Sequence, residues 1–188
     1  MHSESPPNQQ ASADGLSGVQ ALRQRAREDI EQGAVTGGYK ADRKTVLRLL
    51  NEALATEIVC VLRYKRHHYM AEGIHAQSVA AEFLEHAVEE QAHADLLAQR
   101  IVQLGGEPDL DPDHLSAHSH AQYVAGKDLA DMIRENLVAE RIAIDSYGEV
   151  IRYLGDDDPT TRRILEAILA AEEEHADDLI TLLRGQPA

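Results

Sequence analysis

The chain has 188 residues, 43% of them hydrophobic, which is enough for one domain with a proper core, and its single cysteine excludes a disulfide framework and fits a reducing compartment. Asp and Glu number 33 against 18 Lys and Arg, so the formal charge of -15 repels nucleic acid and attracts cations. No basic leader precedes an apolar run, and no apolar stretch approaches the roughly 20 residues that span a bilayer, so a soluble, cytoplasmic protein with no membrane partner is expected.

Met1 to Gly15 is rich in Ser, Pro, Gln and Asn, lacks Lys and Arg, and reads as a disordered tail. Residues 16–42 hold a short amphipathic helix, from Leu16 to Gln32, and a linker marked by Gly37-Gly38. Residues 43–188 form the main domain. Asp42 stands at a plausible N-cap for a long helix in which Val46, Leu50, Leu54, Glu57, Val61 and Tyr64 recur at helical spacing to about Glu72, where Gly73 breaks it. A second helix runs from Ala76 to Leu104 and stops at Gly105-Gly106, with Pro108 just beyond. Glu107 to Gly126, with Pro112, His114, His118 and His120, then carries the chain across the domain. A third helix spans Lys127 to Leu154, and a turn ending in Asp158-Pro159 starts a fourth that reaches Leu183. The expected fold is all-α, a four-helix bundle of two helical hairpins joined by a long crossover, with a short extra N-terminal helix.

An internal repeat carries the chemistry. Glu57 is followed seven residues later by Tyr64, and 33 residues later by Glu90 and the spacing Glu90-x-x-His93. Glu140 is followed by Tyr147 at the same interval, and 32 residues later by Glu172 and Glu172-x-x-His175. On a helix, residues i and i+3 leave the same face one turn apart, so each Glu and His can reach one point. A Glu from each of two helices plus Glu-x-x-His from each of the other two is the ligand set of a di-metal carboxylate site inside a four-helix bundle. Each desolvated carboxylate costs several kcal/mol unless paired, and the same helical faces offer no Lys or Arg, so cations must do the pairing. Carboxylate and imidazole without thiolate suit iron, with manganese as the alternative; Glu90 and Glu172 are the expected bridges, Glu57 and Glu140 the expected terminal ligands.

At these residues the chain resembles the ferritin-like superfamily, bacterioferritins and Dps-like miniferritins most closely, over roughly Arg43 to Leu183. The resemblance implies a ferroxidase: two Fe(II) bind per subunit, O2 or H2O2 takes their electrons, and ferric product moves into a hollow homo-oligomeric shell. It also implies that Glu57, Glu90, His93, Glu140, Glu172 and His175 are the metal ligands, and it places Tyr64 beside the metals as a catalytic residue. Bacterioferritins carry a haem-ligating Met immediately after the bridging Glu of the second helix, whereas this chain has Gln91, so haem is not expected. They also continue into a fifth helix, absent before Ala188, which favours 12 subunits over 24. A non-storing di-metal enzyme, such as a manganese catalase or peroxidase, is the alternative; a DNA-protecting Dps fits the acidic charge and the tail without Lys or Arg less well.

Around the ligands, Glu89 is expected to fix the ring of His93, with no counterpart for His175 because Ala171 fills the matching place. Tyr147 reads as a core tyrosine with a satisfied hydroxyl, Cys60 as a small core residue, and Asp95 and Asp177 as surface groups. His67, His68, His75, His86, His114, His118 and His120 are read as surface histidines, with transient iron uptake as their functional alternative. Leu47, Ile58 and Leu62 lie off the line through Glu57 and form a second apolar face that calls for another subunit.

Overall fold

The computed structural model describes residues 18–28, 30–74 and 76–185; the expected tail from Met1 to Gly15 and His75 lie outside them. The chain divides into two compact units, Met1–Gly38 and Tyr39–Ala188.

In the first unit, the single helix expected from Leu16 to Gln32 is instead a short α1 (Val19–Arg25) and a separate 3-10 turn (Ile30–Gln32). Val19, Leu22 and Ile30 are exposed, and a stretch this short has too little propensity to stay helical without a buried face.

The second unit is built from α2 (Arg43–Met70), α3 (Ala76–Gln103), α4 (Pro112–His118), α5 (Leu129–Leu154) and α6 (Pro159–Arg184). Helix ends agree with the expected ones to within two residues, the scatter of fraying termini. Start signals are explicit: the Asp128 carboxylate accepts from the Asp131 amide at 2.8 Å, and Asp158 accepts from the Thr161 amide at 2.9 Å with Pro159 next in line. Gly105 and Gly155 end α3 and α5 at φ +75° and +48°, the left-handed region that a side chain resists.

Helices α2 and α3 pack along each other as one hairpin and α5 and α6 as the other; α2 also touches α5, and α3 touches α6. Between them lies a core of Val46, Leu50, Leu54, Phe83, Leu97, Ile101, Ile133, Leu165, Ile168 and Leu179, all buried, each contributing about 1.5–3 kcal/mol on removal from water. Cys60 is buried in it as expected.

The crossover is not unstructured. Asp111 accepts from the Asp113 amide at 3.0 Å and Pro112 opens α4, which lies against α2. Polar side chains along α2 then fasten the crossover strand by its backbone. Asn51 accepts from the Asp109 amide at 2.7 Å, Thr56 accepts from the His120 amide at 3.0 Å, and Arg63 donates to the Gln122 carbonyl at 3.0 Å. Arg66 donates to the Ala125 carbonyl, and Nε2 of His67 lies 3.1 Å from the carbonyls of Val124 and Ala125. His67 is therefore a buried strut rather than a surface histidine.

A second buried polar knot ties α3 to the start of α6. Arg100 holds both carboxylate oxygens of Asp158, at 2.9 and 3.2 Å, and donates to the Thr161 hydroxyl at 2.8 Å, while Tyr39 donates to Asp158 at 2.9 Å.

Candidate metal centre

Each of the four long helices delivers its part of the repeat to one place midway along the bundle. Glu57 comes from α2, Glu90 and His93 from α3, Glu140 from α5, Glu172 and His175 from α6, and none is more than 8% exposed. Their donor atoms form two groups, each within 4.8 Å: Glu57, Glu90, His93 and Glu172 in one, Glu90, Glu140, Glu172 and His175 in the other. Glu90 and Glu172 are common to both. Glu172 Oε1 lies 2.9 Å from His93 Nδ1 and its Oε2 3.5 Å from His175 Nδ1. Glu90 likewise turns Oε2 to His93 at 3.5 Å and Oε1 to His175 at 3.9 Å. The two carboxylates thus span both groups, while Glu57 with His93 and Glu140 with His175 close the ends.

Whether these residues suit a metal is tested by what their atoms lack. Among the described residues, nine buried side-chain nitrogens and oxygens have no hydrogen-bond partner, and seven of them are Glu57 Oε2, Glu90 Oε1, His93 Nδ1, Glu140 Oε2, Glu172 Oε1 and Oε2, and His175 Nδ1. Leaving such atoms unpaired costs about 1–3 kcal/mol each, more when charged, so a set this concentrated suits a cation; without one, His93 Nδ1 and Glu172 Oε1, 2.9 Å apart, can pair only through a proton on the imidazole. Burial first, and then the Glu57 charge, pushes the Glu90 carboxyl well above its usual range; burial and then Glu172 do the same to Glu140. For Glu172 burial also pushes upward, but the His175 and His93 rings outweigh it and hold the group at about 2. Burial opposes protonation of His93, yet its contacts with Glu172 and Glu57 carry it up to about 10. Without a cation, the centre holds itself together with protons.

The groups around these six residues are arranged across helices. Tyr64 on α2 donates its hydroxyl to Glu140 Oε1 on α5, and Tyr147 on α5 donates to Glu57 Oε1 on α2. Each tyrosine thus steadies the lone Glu of the other hairpin. Tyr147, read from sequence as a core residue, makes the same contact as Tyr64. Glu89 does not serve His93: its Oε2 accepts from Nε2 of His175 at 2.6 Å, because α3 faces α6 there. His86, expected at the surface, is buried, with its ring stacked on His175 at 4.1 Å and Nδ1 3.2 Å from the Tyr64 oxygen. Burial, and then the neighbouring His175, lowers its pKa to about 3, so it is neutral. Asp95 and Asp177 are exposed, as expected.

Two arginines do share the buried faces, contrary to expectation: Arg100 on α3, already taken up by Asp158, and Arg63 on α2. Arg63, one turn before His67, is 1% exposed and lies near Glu140, but its guanidinium goes to Asn136 Oδ1 at 2.9 Å, the Gln122 carbonyl and Cys60 Sγ at 3.6 Å. It pairs with none of the six. A helical stripe continuing from Glu57 through Cys60 to Arg63 was the available signal for its burial.

A ferritin-like domain matches residues 47–185, which contain the whole site and the four long helices except the first turn of α2. The chain belongs to the ferritin-like family. The family is shared with a bacterioferritin of Mycobacterium leprae, 31% identical over 138 residues that cover 73% of this chain and 83% of that one. A bacterioferritin of Desulfovibrio desulfuricans is 28% identical over 140 residues, 73% of this chain and 74% of the relative. Among solved structures, the bacterioferritin-related protein of Bacteroides fragilis, described as a dodecameric thioferritin, is 37% identical with a TM-score of 0.75, covering 77% of this chain and 88% of that one. A ferritin-like, diiron-carboxylate protein of Bacillus anthracis is 27% identical with a TM-score of 0.68, covering 76% and 98%. Among the described residues no helix is long and apolar enough to cross a membrane.

Proposed function

We propose that this ferritin-like protein oxidises Fe(II) at a two-iron centre held by Glu57, Glu90, His93, Glu140, Glu172 and His175, and stores the ferric product in a closed homo-oligomeric shell. The observation that carries this reading is the set of seven unpartnered atoms of these six residues, all directed into one buried space. Glu90 and Glu172 are the bridges, since each offers one oxygen to either group. Two Fe(II) ions bound there would supply the electrons that reduce O2 or H2O2.

The protein's own part is positioning. Tyr64 and Tyr147 engage Oε1 of Glu140 and Glu57 and leave Oε2 of each free toward the centre. Tyr64 acts through Glu140 and is a positioning residue. Glu89 fixes His175 with Nδ1 inward, and as cations enter, the protons held on Glu90, Glu140 and His93 leave. No Met follows Glu90, and the exposed Gln91, hydrogen-bonded to Asp95 at 3.0 Å, supports a centre without haem at that place.

Storage needs a shell. Leu62 on α2 and Val138 on α5 are exposed apolar residues, and Leu47 and Ile58 on α2 are half-buried, apolar surface suited to another copy. The dodecameric relative at 37% identity favours 12 subunits over 24.

The test combines native mass with iron loading. A closed 12-mer that takes up many more than two iron ions per chain, and whose Glu90→Ala variant loses rapid Fe(II) oxidation, is expected. A dimer saturating at two metals per chain would instead indicate a non-storing di-metal enzyme, and an unchanged initial rate in Glu90→Ala would remove the bridge assignment.

A further inference from the structure

The internal repeat is matched at the six site residues and at the two tyrosines, but not at the residue before each tyrosine, which is Arg63 in the first copy and Ser146 in the second. Ser146 is half-buried, and its hydroxyl lies 2.8 Å from Nδ1 of His120 in the crossover. Arg63 is 1% exposed, so at this place only the first copy brings a fixed positive charge into the bundle.

A buried guanidinium is ordinarily paired with an acid, as Arg100 is with Asp158. Arg63 is not. Asn136 Oδ1 at 2.9 Å, the Gln122 carbonyl at 3.0 Å and Cys60 Sγ at 3.6 Å are neutral partners, and among the described residues no carboxylate forms an ion pair with it. A charge held away from water is weakly screened and acts over several ångströms. The same contacts set where it acts. Asn136 stands one helical turn before Glu140 on α5, and the guanidinium carbon lies 6.0 Å from the centre of the Tyr64 ring, whose hydroxyl donates to Glu140. Burial and then Glu172 push the Glu140 carboxyl up, while Tyr64 and Arg63 pull it down. Glu57 is served instead by Tyr147, whose preceding residue is the uncharged Ser146.

We propose that the buried charge of Arg63 makes the two cation positions unequal, weakening the one at Glu140 and His175 relative to the one at Glu57 and His93. Arg63 hydrogen-bonds to none of the six residues and acts by charge alone. Its effect opposes that of Glu89, which favours the same position by fixing the His175 ring, so Arg63 and Glu89 together set how the two positions share a limited supply of ions. The inference rests on the two-metal reading of the centre given above.

Stepwise Co(II) titration of the full-length oligomer, with anomalous diffraction from crystals given one Co(II) per chain, tests this. Arg63→Met removes the charge, and Asn136→Asp neutralises it at almost unchanged shape. In both, the ratio of occupancies should shift toward Glu140 and His175 by about 10-fold or more. Arg63→Lys keeps the charge without the guanidinium fork and should retain the parent's ratio. Tighter binding at one position is a gain that a damaged fold does not produce, and if Arg63→Met fails to fold, Asn136→Asp and Arg63→Lys still decide the matter. An unchanged ratio in Asn136→Asp, or a shift in Arg63→Lys as large as in the variants without the net charge, would overturn the role of Arg63 and leave the two-metal centre standing. No Co(II) among the six residues of the parent would overturn the centre, and this inference with it.

Discussion

Glu89 on α3 and His175 on α6 are joined by a 2.6 Å hydrogen bond in which the imidazole Nε2 donates to the carboxylate. The bond reaches across the bundle, and it fixes the ring that faces one half of the centre. The other half has Ala171 at the matching position, so His93 has no equivalent carboxylate.

Removing that carboxylate should therefore act on one ion more than the other. In Glu89→Ala, affinity for the ion on the Glu140 and His175 side should fall by about 10–100-fold, with a smaller change for the ion on the Glu57 and His93 side. Stepwise Co(II) titration followed by visible absorption measures the two; equal losses at both would show that Glu89 does not act through His175.

The reciprocal tyrosines give a paired test. Tyr64→Phe leaves Glu140 Oε1, and Tyr147→Phe leaves Glu57 Oε1, without its donor in a buried setting. Each should destabilise the metal-free protein by about 1–3 kcal/mol in chemical denaturation and slow Fe(II) oxidation. A Tyr147→Phe variant as stable and as fast as the parent would restore that residue to a plain core role.

The pH dependence of metal stabilisation follows from the raised carboxyls. Burial lifts Glu90 and Glu140 above the ordinary 4.5, so in the metal-free fold their contribution is complete below 4.5 and is lost as pH rises through the raised values. His93, raised from 6.5 to about 10, has the same sign. Cations bound there would replace these protons. The gap in Tm between metal-loaded and metal-free protein should accordingly widen from about pH 5 to about pH 8, with protons released on binding. A constant gap and no proton release would contradict this account.

Asp158 supplies the opposite sign. Burial works against its charge, but the Thr161 hydroxyl and amide, Tyr39 and Arg100 together hold it below 3.8. A lowered folded pKa contributes stability above the unfolded value of 3.8, lost as pH falls through the folded one. Asp158→Asn should cost roughly 2–4 kcal/mol at neutral pH by leaving Arg100 buried and unpaired and weakening the α6 cap. The difference from the parent should shrink below about pH 4. Denaturation curves from pH 7 down through the acid range decide it, and a difference that stays constant however far the pH falls below 3.8 would count against the Arg100 pairing.

What sequence alone determined is what lies along one helix. Glu90 with His93 and Glu172 with His175 are set by i, i+3 geometry, which holds wherever the helix packs, and the matched intervals from Glu57 and Glu140 placed all four segments at one level of the bundle. The two hairpins, the long crossover and the convergence of six residues were legible for that reason. The Asp111-Pro112 start of α4 was present too, a local signal inside a segment that its histidines and length made look irregular. Contacts between helices depend instead on how far one is rotated and shifted against the next, which no spacing along a single segment encodes. Only the tertiary structure could decide that Glu89 turns to His175 rather than His93, that Tyr147 reaches Glu57 as Tyr64 reaches Glu140, and that Arg63 is buried yet tied to Asn136 and the crossover.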